Sequence, residues 1–317
     1  MGRRLRTFVF GAKTKLLCVA LGVLFCMWFS SKIGYIMSWN THFPSSVYSP
    51  DRGGYTVLIN TWKRSSHLKQ SVAHYASCTG ADAIHVVWSE SDPPSEKLKD
   101  HLNTVVLKKS RSTHKLDFRF DIYEEDNLNN RFRPIEGLRT DAIFSVDDNV
   151  IVPCHTLEFA FAVWQTAPMT MVGFVPRMHW LGEERTGAVS YKYGGWWSVW
   201  WMGIYSMVLS KSAFFHSKYL ELYTNAMPPS IHQYINAERN CEDIAMSLLV
   251  ANTTDAPPIW VKGKIYEIGS PGTSSLHQPH HYDGRNKCMN DFVSMYGTLP
   301  LVSTNVKAVD TRHQWFW

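Results

Sequence analysis

Ala142-Ile143-Phe144-Ser145-Val146-Asp147-Asp148-Asn149-Val150-Ile151 is an apolar run that stops at two carboxylates and an amide and then resumes. A short stretch rich in Ile, Phe and Val reads as a buried strand. Acids at its carboxyl end sit at the edge of a sheet where α/β folds bind ligands. Such carboxylates can hold a divalent metal, and Asp-Asp-Asn is also ordinary turn chemistry after any strand. Both readings stay open on these residues alone.

Outward from this stretch, the pattern is that of an α/β protein. Strands are predicted at Tyr55–Asn60, Ala83–Trp88, Thr104–Leu107 and the run ending at Asp147, with a helix over His67–Ala76 and a turn or short helix within Asp126–Leu138. Strands separated by such crossovers point to a mostly parallel, nucleotide-binding type of sheet. Further on, helices are expected at Thr156–Gln165, Lys211–Tyr223 and Cys241–Ala251, and strands at Thr170–Val175 and Tyr205–Leu209. Asp255–Tyr282 reads as loop. One domain over 55–317 is expected, with a donor half (55–150) and an acceptor half (151–317) sharing a sheet.

The front of the chain is different in kind. Of 32 basic residues, Arg3, Arg4, Arg6, Lys13, Lys15 and Lys32 lie before Ser38, where there is no acid. The remainder carries 26 basic against 27 acidic residues, a net −1, so the basic balance belongs to a terminal segment and argues against a nucleic-acid face. Leu16–Phe29 is unbroken apolar sequence, and through Met37 the stretch reaches 22 residues, enough at ~1.5 Å per residue to span a bilayer with Lys32 snorkelling. A cleaved signal peptide would need small residues where Met27, Trp28 and Phe29 stand. The expectation is a cytosolic tail (1–15), a signal anchor (16–37), a Ser/Pro/Gly-rich stem (38–54) and a lumenal domain. The sequon Asn252-Thr253-Thr254 suits a lumenal surface.

Beyond the anchor lie Cys78, Cys154, Cys241 and Cys288, without the close pairing of a zinc site, and in an oxidising lumen some of them should form disulfides. Tyr191–Trp201 (YKYGGWWSVWW) holds four tryptophans within six residues, Trp196, Trp197, Trp200 and Trp201. Aromatic faces stack on sugar rings and on apolar surface, which makes this segment a candidate acceptor side. His277, His280 and His281 lie in a Gly-, Ser- and Pro-rich loop, read as a lid, with a metal-ligand role for His281 as the alternative.

Asn129-Asn-Arg-Phe132, Phe144-Ser-Val-Asp-Asp148, Val172-Gly-Phe-Val-Pro-Arg177, Tyr205-Ser-Met-Val-Leu209 and Asn240-Cys-Glu-Asp-Ile-Ala-Met246 together resemble the exostosin-like domain of glycosyltransferase family 64. The likeness runs from about Tyr55 to the C-terminus. With the tryptophan segment, Trp260–Gly269 and the Trp-Phe-Trp terminus, it leans toward the plant members implicated in mannosylating glycosyl inositol phosphorylceramide in the Golgi. The resemblance implies a GT-A fold with a Rossmann-like mixed sheet, a retaining mechanism and Mn²⁺ or Mg²⁺. The implied partners are a nucleotide-sugar donor, GDP-mannose foremost, a glycolipid acceptor, the Golgi membrane and a second copy of the chain. UDP-dependent N-acetylhexosaminyl transfer and a non-catalytic Golgi subunit are the alternatives.

Residue by residue, the resemblance assigns Asp243 to the carboxylate beside the anomeric carbon and Arg285 to the diphosphate. It assigns Arg64, Asn130, Arg131, Asp147 and Asp148 to the donor, and Cys241 with Cys288 to a disulfide. Ser89 and Glu90 fall where the family meets the base. Cys78 and Cys154 receive no assignment and are expected as buried free thiols. In one place the pattern breaks: the family's acidic run ends in a metal-binding Asp where this chain has Asn149. An amide oxygen beside Asp147 can still ligate a hard cation, but without charge.

Overall fold

The computed structural model describes residues 12–36, 53–111, 115–183, 189–269 and 281–311. The chain divides into two units, of which 52–309 is the larger. In the other, α1 (Ala12–Ile36) is a 25-residue helix. Its side chains are described over 14–30 only, and all of these are exposed. Among the described residues no helix is long and apolar enough to cross a membrane.

In the larger unit, β1 (Tyr55–Thr61), α2 (Ser65–Tyr75), β2 (Ala81–Trp88), α3 (Glu96–Lys109), β3 (Asp117–Ile122), a 3₁₀ turn (Leu128–Phe132) and β4 (Ala142–Asp147) form the first half. Its four strands run parallel in the order β3-β2-β1-β4. Val57 and Ile59 join one apolar layer, and Leu58 between them joins the other. Both faces are covered, so β1 reads as a continuous apolar run and not as an alternating one.

Thr104–Leu107, expected as a strand, belongs to α3. The Ser95 hydroxyl caps that helix by accepting from Leu98 N at 3.3 Å, and Leu98, Leu102 and Val106 bury at four-residue spacing. The short Val-Val-Leu run is one piece of that helical stripe, and the third strand begins at Asp117.

Next come β5 (Val150–Ile151), α4 (Cys154–Thr166), β6 (Val172–Gly173), β7 (Pro176–Glu183), β8 (Val189–Gly194), α5 (Trp196–Met202), β9 (Met207–Val208), β10 (Ser212–His216), α6 (Lys218–Ala226), α7 (Pro229–Glu238), α8 (Glu242–Thr254), β11 (Ile259–Lys262), β12 (Tyr266–Glu267), α9 (His281–Tyr296) and β13 (Lys307–Val309). The eight-stranded sheet reads β13-β11-β6-β10-β4-β1-β2-β3. It is therefore mixed: β10 runs antiparallel to β4 and to β6. The helix expected from Lys211 is first this strand, because Ala213, Phe214 and Phe215 are fully buried against β4 and only Lys218 onward turns helical. Within the stretch read as loop, β11 and β12 form.

Cys78 and Cys154 are bonded to each other across 76 residues, not free. The adjacency of β1 and β4 brings the end of α2 beside the start of α4, a proximity that no local pattern encodes. Those two sulfurs with His74 are the only close trio of metal-type ligands among the described residues, and the bond consumes them. Cys241 and Cys288 pair as the resemblance implied. Asn252 is exposed in the last turn of α8.

Candidate active site

At the carboxyl end of β4 the two acids part company. Asp148 N donates to Asn60 O at 3.1 Å, which turns its side chain inward. There its carboxylate accepts from Thr61 Oγ1 at 2.7 Å and faces Arg64 Nη2 at 2.7 Å. Burial pushes the Asp148 carboxyl up to about 6, against the pull of Arg64 and Thr61. Asp147 stays partly open, and Arg131 Nη2 donates to its Oδ1 at 2.6 Å. Asn149 follows in the turn, half-buried, with its backbone oxygen accepting from Ile268 N at 2.7 Å.

Arg131, on the 3₁₀ turn, is 3% exposed. Its Nε donates to Ser145 Oγ at 3.0 Å, its Nη2 also to Ser210 O at 3.2 Å, and its Nη1 stands 3.6 Å from Glu242 Oε1. Asn130, equally buried, donates from Nδ2 to Ser89 Oγ and Glu125 O. Glu90 Oε1 accepts from Lys63 N at 2.7 Å. Asn130, Arg131 and Ser89 thus form an internal frame under the sheet edge.

The second centre is built on α8. Asp243 Oδ1 accepts from Ile244 N, as an acid in the first turn can, and Arg285 Nη1 donates to both carboxylate oxygens at 2.8 and 2.9 Å. The pair is almost wholly buried. Burial opposes the Arg285 charge, yet Asp243, Tyr193 and Glu242 outweigh it and hold the guanidinium above its ordinary range. The Arg285 guanidinium lies 5.3 Å over the Tyr193 ring, and its Nε is buried with no partner among the described residues. The Cys241–Cys288 bond fastens the N-cap of α8 to α9 one turn beyond Arg285. The disulfide therefore holds the two halves of the ion pair in register.

Glu242 connects the two centres. Burial first, then the neighbouring Asp243, pushes its carboxyl up to about 7. A carboxyl whose folded pKa is raised contributes stability that is fully present below its unfolded pKa and is lost as pH rises through the folded one. Stability should therefore fall between about pH 5 and pH 8, with Asp148 acting in the same direction. Glu242→Gln should flatten that fall by on the order of 1–3 kcal/mol. Thermal denaturation at both pH values would show it, and an unchanged slope would remove Glu242 from the account.

His277 and His280 lie outside the described residues, and of His281 only the helical backbone is described. The tryptophans of α5 are exposed, not packed in the core. A cleft of about 620 Å³ lined by Tyr123, Asn127, Arg133 and Asn236 includes none of the candidate catalytic residues. Sequence reasoning missed Glu242, Tyr193 and Ser145 as members of the site. Glu242 carried the only available signal, as a second acid in the first turn of α8.

A sequence profile described as the glycosyl transferase family 64 domain matches residues 55–315. The chain belongs to that family. Glycosylinositol phosphorylceramide mannosyl transferase 1 of Arabidopsis thaliana is 55% identical over 99% of this chain and 94% of its own length. Mouse exostosin-like 2 is 32% identical over 82% of this chain and 78% of that protein. Human exostosin-2 is 32% identical over 80% of this chain, which spans only 33% of that longer protein.

Proposed function

We propose that this family 64 chain is a retaining glycosyltransferase that moves mannose from GDP-mannose to glycosyl inositol phosphorylceramide. The observation that carries the reading is the 55% identity, end to end, to a relative named for that transfer. The buried Asp243–Arg285 pair supports it. Transfer breaks the bond from the anomeric carbon to the diphosphate and forms one to an acceptor hydroxyl, whose proton leaves with the departing diphosphate. Asp243 supplies negative charge beside a carbon that becomes oxocarbenium-like. Arg285 keeps that carboxylate in place and offers positive charge to the leaving group. The reading extends to a GT-A fold and to residues 16–37 as a Golgi signal anchor with a lumenal catalytic domain.

A divalent cation fits the donor set at the end of β4. Asp147 keeps an open carboxylate edge and Asn149 adds an amide oxygen, both hard ligands, while Asp148 is committed to Arg64 and Thr61. Bound there with the donor, Mn²⁺ or Mg²⁺ supplies charge neutralisation of the diphosphate. Asn149→Asp adds a charged ligand and should lower the Mn²⁺ concentration for half-maximal nucleotide release by roughly tenfold. An unchanged Mn²⁺ dependence would take position 149 out of the metal set.

The test of function is nucleotide release by the purified full chain offered GDP-mannose, UDP-GlcNAc and UDP-GalNAc with Mn²⁺. Release from GDP-mannose is expected. Release from a UDP-sugar instead would favour the activity class of an N-acetylhexosaminyltransferase, and none from any donor would favour a non-catalytic subunit.

A further inference from the structure

We propose that α5, with Trp180 of β7, is a lipid-docking platform that seats the catalytic unit on the bilayer interface. The proposal rests on the reading of the acceptor as a lipid, and deepens it by assigning a membrane-contacting surface to the catalytic unit itself, apart from α1.

Trp196, Trp197, Trp200 and Trp201 are 47%, 73%, 59% and 79% exposed, Met202 is 57% exposed, and Val199 alone turns into the core. The rings lean on one another: Trp196 on Trp197 at 5.2 Å, Trp196 stacked on Trp200 at 6.3 Å, Trp197 on Trp200 at 5.8 Å. Trp180, itself exposed, packs where a Cβ on Gly194 would meet both its ring and Ser198. The four α5 rings leave on the order of 500 Å² of aromatic surface open, at the upper end of what a soluble monomer tolerates.

Three features select lipid as the occupant. No charged residue occurs from Tyr193 through Ser210, so α5 offers no ion-pairing group of its own to a charged protein partner. The residues are tryptophans, whose polar N–H and broad apolar ring suit the headgroup boundary, and not the Leu and Ile of a buried helix face. The platform is also continuous with the catalytic centre. A Cβ on Gly195, the N-cap of α5, would fall on the Tyr282 hydroxyl, the Tyr282 ring lies 6.2 Å from that of Tyr193, and Tyr193 carries Arg285 on its face. An acceptor sugar held by a lipid in that bilayer would be presented next to the Asp243–Arg285 pair.

The experiment uses full chain carrying Trp28→Phe and Trp39→Phe, which removes the tryptophans in and beside the proposed anchor, bound to phosphatidylcholine vesicles with and without lipid brominated high on the acyl chain. Bromine should quench a large part of the emission. Replacing the four α5 tryptophans and Trp180 with Phe should abolish most of that quenching while the chain still binds, and replacing them with Ser should abolish it as well. Quenching that survives both replacements, or no quenching at the outset, would overturn the proposal and leave a protein partner or a free headgroup as the occupant. Circular dichroism of each variant checks the fold. No donor or turnover enters the readout, so failure here is separable from failure of the transferase reading, which nucleotide release reports alone.

Discussion

Asp243→Asn should cut transfer by about a thousandfold or more while leaving both disulfides formed. The amide matches the carboxylate in size but carries no charge for a developing oxocarbenium ion and cannot attack carbon. It also leaves Arg285 buried beside a neutral group, and removing one partner of a buried pair costs about 3–5 kcal/mol. Lost activity could then reflect a loosened α8–α9 junction. A second variant separates the causes. Asp243→Asn combined with Arg285→Met removes both charges, so melting temperature should recover much of the loss while nucleotide release stays at background. Were the double variant to recover turnover along with stability, Asp243 would be a structural anchor for Arg285 and not the group beside the anomeric carbon.

The parallel half of the sheet was legible because its signal is local. β1, β2 and β4 are apolar runs buried on both faces, and each ends in the polar residues that line the edge. What escaped was set by contacts distant in sequence. Ser212–His216 has no helical face, yet its identity as a strand depends on Phe214 lying against Phe144. Cys78 and Cys154 are joined through sheet order, and sheet order is not written in the spacing of cysteines. Thr104–Leu107 failed for the opposite reason, since four residues were read in isolation from the capped helix around them.

In the site itself, residue types proved more readable than their partners. Asp147 and Asp148 are adjacent in sequence, but one faces a buried guanidinium on a 3₁₀ turn and the other an arginine after β1. Asp147 ends β4, while Asp148 opens the turn, where its N–H bond to Asn60 O directs its side chain inward. Arg131, which the resemblance assigns to the donor, also bonds Asp147, Ser145 and Ser210 and stands beside Glu242. Its position beneath Asp147 and beside Glu242 makes it a positioning residue for both acids.

That position gives the second large effect. Arg131→Met should destabilise the chain by about 3–5 kcal/mol at pH 8, because Asp147 and Glu242 both lose the buried guanidinium that offsets their charge. At pH 6 the loss should be smaller. Burial and the neighbouring Asp243 push the Glu242 carboxyl upward, so at the lower pH it holds its proton more fully and needs the partner less. Removing Arg131 raises the Glu242 carboxyl further, which moves the loss of stability to the alkaline side of where it sits in the parent chain. Adding Glu242→Gln to Arg131→Met should erase most of the difference between the two pH values, leaving only the cost at Asp147 and the lost bonds to Ser145 and Ser210. Paired denaturation curves at pH 6 and pH 8 decide the matter. An Arg131→Met chain as stable as the parent at both, with only its KM for the donor raised, would make Arg131 a donor contact alone and leave the metal edge uncoupled from Asp243.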